Sequence, residues 1–252
     1  MPIGNQKKPC CGDRISVLHE SILHHIMSFM PAQDVVCTSA LSRMWRPLWT
    51  SAPCIDIDID HFDLDRVKFN KFAESFFQMR GIDTLDTLRL HSCAIDAANF
   101  WIDHAIKCNV KSIEFTEYTS WEPFYLDPEL IEFLSPHLRS LKLTNVILVA
   151  RVFDQLNHAC PSLENLQLAD STLDFPEISS RSLKILEIIN CSVLKHLLIR
   201  THKLVSLSFK GSRCGCTLKS IFLTKSAVTL CDISNAKSIE LSVPVTQVLG
   251  AS

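Results

Sequence analysis

Glycine is scarce in this chain, with 6 residues in 252. Loops that cradle phosphate groups are built from glycine, and neither G-x-x-x-x-G-K-[ST] nor G-x-G-x-x-G occurs. Net charge is nearly absent too: 25 Lys and Arg stand against 27 Asp and Glu, leaving −2. No basic field exists to neutralise a phosphate backbone, so nucleic acid is not an expected partner. No stretch approaches the roughly 18 uninterrupted apolar residues of a membrane helix, and the opening MPIGNQKKPCCGDR lacks the apolar core of a signal peptide. No membrane partner is expected. The 11 cysteines lack order, being odd in number and irregular in spacing. They read as free thiols in a reducing compartment, cytoplasmic or nuclear. Cys10-Cys11 and Cys214-x-Cys216 are the tight clusters, and neither has a second pair at zinc-finger spacing. Neither a metal nor a cofactor is expected.

What is present in quantity is apolar side chain, 47% of residues, ample for a folded core. Residues 13–53 form a compact apolar unit. Leu18, Ile22, Leu23, Ile26, Phe29 and Met30 fall at helical spacing until Pro31 stops the run. A second helix is predicted from about Ala32 to Leu41, carrying Val35 and Val36. A third, capped by Ser42, carries Trp45, Leu48 and Trp49, with Pro47 making it short or irregular. Three short helices with two tryptophans exceed what a self-contained bundle buries. Periodicity alone leaves two readings, a cap on the following domain or a protein-docking module.

The order L-x-E-S-I-L-x-x-I-M-S-F-M-P, then D-V-V-x-T-S-x-L-S-R-x-W-R-x-L-W, resembles an F-box, specifically the plant F-box type with leucine-rich repeats. The resemblance implies docking on a Skp-type adaptor that bridges to a cullin-based ubiquitin ligase. Its contact positions here would be Leu18, Ile22, Leu23, Ile26, Met30, Pro31, Val35, Val36, Leu41, Ser42, Trp45, Leu48 and Trp49. Two positions depart from the family pattern. His19 stands where proline is usual, replacing a rigid start to the first helix with a flexible, titratable side chain, and Met44 stands where a basic residue is common.

From Leu85 onward one template recurs: apolar, two variable, apolar, one variable, apolar. The clearest copies are Leu85-Leu88-Leu90 with Cys93 after it, Leu138-Leu141-Leu143, Leu163-Leu166-Leu168, and Leu183-Leu186-Ile188 with Cys191 after it. Val110-Ile113-Phe115, Leu204-Leu207-Phe209 and, loosely, Ala236-Ile239-Leu241 also fit. From Leu85 to Leu204 the steps are 25, 28, 25, 20 and 21 residues, in the leucine-rich-repeat range of roughly 20–29. Each copy is predicted to be a short strand with its apolar residues in a continuous core and the residues between them outward. Residues 94–108, 128–134 and 149–159 read as helices behind the strands. Leu194-Leu197-Ile199 and Leu218-Ile221-Leu223 read as strands instead. Ile55–Ile59 should be an early strand, followed by a helix over roughly Lys68–Arg80.

The fold expected is an α/β solenoid. A three-helix F-box module at 13–53 and a connecting strand and helix at 54–84 precede irregular leucine-rich repeats at 85–252, helix-backed first and strand-backed later. The ending at Val248–Ser252 has no obvious polar cap, which leaves open a C-terminally shortened member. Catalysis is not expected. Asp56, Asp58 and Asp60 before His61 lack the glycine and distal glutamate of a calcium loop and read as a solvated strand face. His24 and His25 are adjacent, not an i, i+4 ligand pair, and read as surface residues. No signature surrounds any Cys–His pair. The target-reading surface would be the outward strand positions: Thr87 and Arg89, Arg139, Ser140 and Lys142, Glu164, Asn165 and Gln167, Lys184 and Glu187. The Trp121–Tyr125 loop joins them as a contact candidate. The function so implied is the substrate-recognition subunit of a Skp/cullin/F-box ubiquitin ligase, with an unknown target protein. The alternative is a repeat scaffold or small-molecule sensor outside any ligase.

Overall fold

A computed structural model describes residues 15, 17–80, 85–92, 95–118, 123–131, 135–194, 197–210 and 238–242. Cys93, Trp121, the Leu218–Leu223 segment, the 132–134 part of one expected helix, and the chain end at 248–252 lie outside them.

The first helix, α1 (Glu20–Met27), is shorter than its apolar pattern. His19 starts it from an extended backbone, and its ring Nδ1 accepts the Ser21 N–H at 3.3 Å. The residue that replaces the family's proline therefore caps the helix. The second, α2 (Ala32–Cys37), tightens into a 3₁₀ turn at Thr38–Ala40. The third, α3 (Trp45–Leu48), runs into another at Trp49–Ser51. Pro47 is tolerated because the first-turn N–H groups of a helix have no intrahelical acceptor. Ser42 does not cap α3 through its side chain. The helix begins three residues on, beyond reach of its hydroxyl, and the Trp45 N–H bonds the Ser42 carbonyl at 3.2 Å while the Ser42 Oγ is left without a partner.

The strand β1 (Cys54–Asp58) and helix α4 (Arg66–Met79) follow. Asp65 caps α4, accepting the Val67 and Lys68 N–H groups at 3.0 and 3.1 Å. The bond from the Lys68 amide is the main reason its carboxyl titrates below the usual range. Then come β2 (Thr87–Ser92), α5 (Ile95–Lys107), β3 (Ser112–Glu117), β4 (Phe124–Tyr125), β5 (Ser140–Thr144), β6 (Val146–Val149) and α6 (Ala150–Ala159). After α6 the described elements are strands: β7 (Asn165–Ala169), β8 (Thr172–Asp174), β9 (Glu177–Ser180), β10 (Ile185–Ile189), β11 (Ser192–Val193), β12 (Leu198–Thr201), β13 (Ser206–Lys210) and β14 (Ser238–Ser242). The expected helix at 128–134 is a turn over 128–130.

One strand per repeat enters a parallel sheet in the order β1-β2-β3-β5-β7-β10-β13-β14. The register keeps template positions level, with Ile55, Leu88, Ile113, Leu141, Leu166, Leu186, Leu207 and Ile239 partnered in turn across the sheet. Ala52, Ile55 and Ile57 are buried in the same pattern. They form one more copy of the template, which the sequence reading had passed over because its lone alanine is a weak first position. Behind the sheet, α5 and α6 back the longer repeats. A 20-residue repeat has no room for such a helix, so β4, β6, β8 and β11 form a second parallel sheet and β9 pairs with β12 in a third.

The core is continuous from Leu23 to Phe209. Trp49 meets Phe76 of α4 at 5.4 Å between ring centroids, so the helical head rests on the first strand–helix unit by an aromatic contact. Turns after the strands need a left-handed residue, and in a chain short of glycine they use other types. Asn145 (φ 58°), Asp170 (48°) and Asn190 (53°) each stand two residues beyond the last apolar position. Replacing Asn145 with valine should cost about 1–2 kcal/mol more than replacing it with glycine. Both changes lose the Asn145 Nδ2 bond to the Glu117 carbonyl at 3.2 Å. The difference in urea midpoints therefore isolates the backbone cost, and equal midpoints would refute it.

Candidate functional site

Two surfaces carry the residues singled out by sequence. On the helical head, the thirteen contact positions separate by burial. Leu23, Val35, Trp45, Leu48 and Trp49 lie in the core, Leu23 at 1% exposure. Leu18, Met30 and Val36 are partly buried against it, and Pro31 and Ser42 are intermediate. Ile22 (46%), Ile26 and Leu41 (65%) are exposed. Ile22 and Ile26 are four apart and share one face of α1. Phe29, at 76% exposure, and Met44 extend the exposed apolar surface. The sequence reading had not placed them on it, although Phe29 falls beyond the last buried position of α1. His24 is not the surface residue expected. Its Nε2 lies 3.2 Å from the Leu48 carbonyl and 3.2 Å from the Ser51 hydroxyl, tying α1 to α3.

The second surface is the outward face of the large sheet, where parallel register sets side chains of neighbouring strands level. Like charges at that spacing repel, and the chain alternates them. Asp56 faces Arg89 at 3.4 Å, Glu114 faces Lys142 at 2.6 Å, and Asp58 accepts from His91 at 3.0 Å. At the strand starts, Asp86 meets Lys111 at 2.6 Å and Glu164 meets Lys184 at 2.8 Å. The Lys184 hydrogen bond holds the Glu164 carboxyl below its ordinary range. Half-exposed pairs of this kind are worth about 0.2–1 kcal/mol each, so they order the face more than they stabilise it. The aspartates read as a solvated face are therefore half of a ladder, whose members are 33 residues apart in sequence for Asp56 and Arg89.

Among the target-facing candidates, the sheet brings Lys142, Gln167 and Glu187 together around a hollow of about 240 Å³, with Ser140, Asn165 and Glu114 in its walls. Arg89 and Thr87 lie on β2, outside this hollow. Arg139, Glu164 and Lys184 mark the strand-start margin. Trp121 is outside the described residues; Phe124 is buried and Tyr125 exposed.

The thiols are structural in character. Burial pushes Cys160 and Cys191 up to about 11, and the Cys191 Sγ sits 3.4 Å from the Leu168 and Ile189 carbonyls. Because the protonated form is favoured in the fold, this stabilisation is full below the ordinary thiol value of 9.0 and is lost as pH rises toward 11. With iodoacetamide at pH 8, exposed Cys37 should be modified first, and Cys160 and Cys191 only after denaturant is added. Peptide mapping reads this out; Cys191 labelling as fast as Cys37 would contradict it. Among the described residues no group of three His, Cys, Asp or Glu is placed to hold a metal. No helix among them is long and apolar enough to cross a membrane.

Level parallel strands, one per 20- to 28-residue unit and with every template leucine buried, define a leucine-rich-repeat protein bearing a helical head. The comparisons with known proteins agree. The family model of the leucine-rich repeats of FBD-associated F-box protein At5g56370 matches residues 73–221, and that of the F-box domain matches residues 15–55. The first covers more than half the chain, which therefore belongs to the FBD-associated F-box family with leucine-rich repeats. Relatives from Arabidopsis thaliana include F-box/FBD/LRR-repeat protein At5g22660, 33% identical over 74% of this chain and 40% of its own length. F-box/FBD/LRR-repeat protein At5g22700 is 30% identical over 71% of this chain and 47% of its own. Probable FBD-associated F-box protein At1g32375 is 29% identical over 75% and 44%. The chain thus spans less than half the length of these relatives.

Proposed function

We propose that the chain is a target-recognition subunit of a Skp/cullin/F-box-type ubiquitin ligase, acting in the cytoplasm or nucleus. Residues 13–53 would hold a Skp-type adaptor, and 54–84 would join them to a curved solenoid at 85–252. The solenoid's sheet face would hold a target protein. The chain would perform no bond chemistry; its contribution is proximity and orientation. The observation that carries the reading is the helical head's division of labour. Leu23, Val35, Trp45, Leu48 and Trp49 are used up by the chain's own core, while Ile22, Ile26 and Leu41 remain outside it. A soluble head that leaves large aliphatic side chains of neighbouring helices in water is suited to a partner with an apolar groove.

Within the thirteen positions, the proposed direct contacts are Ile22, Ile26, Leu41 and the partly exposed Leu18, Met30, Pro31, Val36 and Ser42. The five buried ones hold the face in shape. On the sheet, Gln167, Glu187 and Arg139 are proposed to read the target first, because Arg89, Lys142, Glu164 and Lys184 already face opposite charges. The test is co-expression with a Skp-type adaptor and size-exclusion chromatography. A stoichiometric complex supports the reading, and no complex at low salt removes it in favour of a free scaffold. Once a target is found, Gln167→Ala with Glu187→Lys should abolish its capture while adaptor binding survives.

A further inference from the structure

Between the last turn of α6 and the turn after β9 lies a hollow of about 480 Å³, on the side of the repeats away from the large sheet. Its walls include Arg181, Lys203, His158, Asn157, Ser179 and Ser182, and no acidic side chain. That volume falls in the range of small-molecule sites, but its chemistry is polar and cationic where such sites are usually apolar. Neither Arg181 nor Lys203 has an ion-pair partner within 4 Å among the described residues. The nearby carboxylate of Glu164, which feels Lys203 only weakly, is engaged by Lys184 at 2.8 Å. The turn carrying Arg181 is fixed, since the Ser180 hydroxyl accepts the Ser182 and Leu183 N–H groups at 3.3 and 3.2 Å. Two cations on a fixed turn and a neighbouring strand start, with two hydroxyls and an amide between them, form a preorganised anion receptor.

We propose that this hollow binds a compact phosphate monoester, held by Arg181 and Lys203. His158 is secondary: its Nδ1–H already donates to the Asp154 carbonyl at 2.7 Å, leaving it a further donor only when protonated. The carbonyls ending α6 oppose an anion by a factor of about two to five. Each charge-assisted hydrogen bond favours it by about tenfold or more, so the cations win. Size is set by the adjoining hollow of about 300 Å³, which shares Asn157 and Ser179 but carries Asp154 and Glu177 beside the stacked rings of Phe153 and Phe175. An extended polyanion would meet those carboxylates; a single phosphate group would not.

The experiment titrates the full chain at constant ionic strength with inorganic phosphate, O-phosphoserine and an acetyl-Ala-Ala-phosphoserine-Ala-Ala-amide peptide, read by ³¹P line broadening and calorimetry. Arg181→Ala with Lys203→Ala should weaken phosphate and O-phosphoserine binding at least tenfold. Arg66→Ala with Lys71→Ala, two exposed cations on α4, should change it less than twofold. All four residues are exposed, so both variants should keep the wild-type melting temperature. Peptide binding as tight as O-phosphoserine assigns the site to a phosphorylated protein segment, and exclusion of the peptide assigns it to a free small molecule; either supports the proposal. Equal losses in the two variants, or no saturable binding of any probe, overturn it.

Discussion

Ile22→Asp with Leu41→Asp should leave the chain folded and abolish capture of a Skp-type adaptor. Both side chains stand largely in water, at 46% and 65% exposure, and substitutions at such sites move stability by about 0.5 kcal/mol or less. In a partner's apolar groove the same side chains would each be worth about 1.5–3 kcal/mol. Replacing them with carboxylates loses that and adds the cost of burying charge. Together the two changes should exceed about 5 kcal/mol, more than a thousandfold in affinity. Leu23→Ala is the contrasting variant. It lies one residue from Ile22 but at 1% exposure, so it should cost about 2–5 kcal/mol of folding. Loss of adaptor there should come with a lowered melting temperature. Pull-down at matched concentrations, paired with near-ultraviolet circular dichroism, separates the two. Wild-type adaptor affinity in the Ile22→Asp, Leu41→Asp variant would sink the assignment of this face.

The neighbours Ile22 and Leu23 also mark what a sequence can and cannot say. A period of 3.6 identifies the apolar residues of a short helix, but not whether a given one is claimed by its own chain or left for another. That depends on where α3 sits, and α3 is fixed in part by His24 reaching the Leu48 carbonyl, 24 residues away. The repeats were far more legible. A template whose copies are stacked in register demands burial at fixed positions, and Leu85, Leu88 and Leu90 and their counterparts through Phe209 meet that demand. Repeat length also foretold where helices would give way to strands. The charge ladder on the sheet was not legible, because Asp56 and Arg89 become neighbours only once β1 and β2 are paired. The copy at Ala52, Ile55 and Ile57 could have been found by accepting alanine at the first position. The turn residues Asn145, Asp170 and Asn190 were visible as a recurring Asn or Asp two places after the template.

The largest loss of stability should follow Trp101→Ala in α5. Trp101 is fully buried, edge-on to Phe69 at 5.5 Å and parallel to Phe77 at 6.2 Å. Truncating it removes about 3–5 kcal/mol. Its indole Nε1 has no hydrogen-bond partner, and that makes a second variant informative. Trp101→Phe loses part of the ring's packing, about 1–2 kcal/mol, but also removes an orphaned donor whose burial costs about 1–3 kcal/mol. The two effects oppose each other at similar size, so the phenylalanine variant should stay within about 1 kcal/mol of wild type. Repeats contact mainly their neighbours, and the damage should therefore be local. In Trp101→Ala, amide exchange should quicken in α4, α5 and β2, and through the Trp49–Phe76 contact in the helical head, before it does so in β10 and β13. Uniform acceleration along the chain would mean that the array unfolds as one unit. A Trp101→Phe loss as large as that of alanine would mean that the indole nitrogen has an acceptor after all.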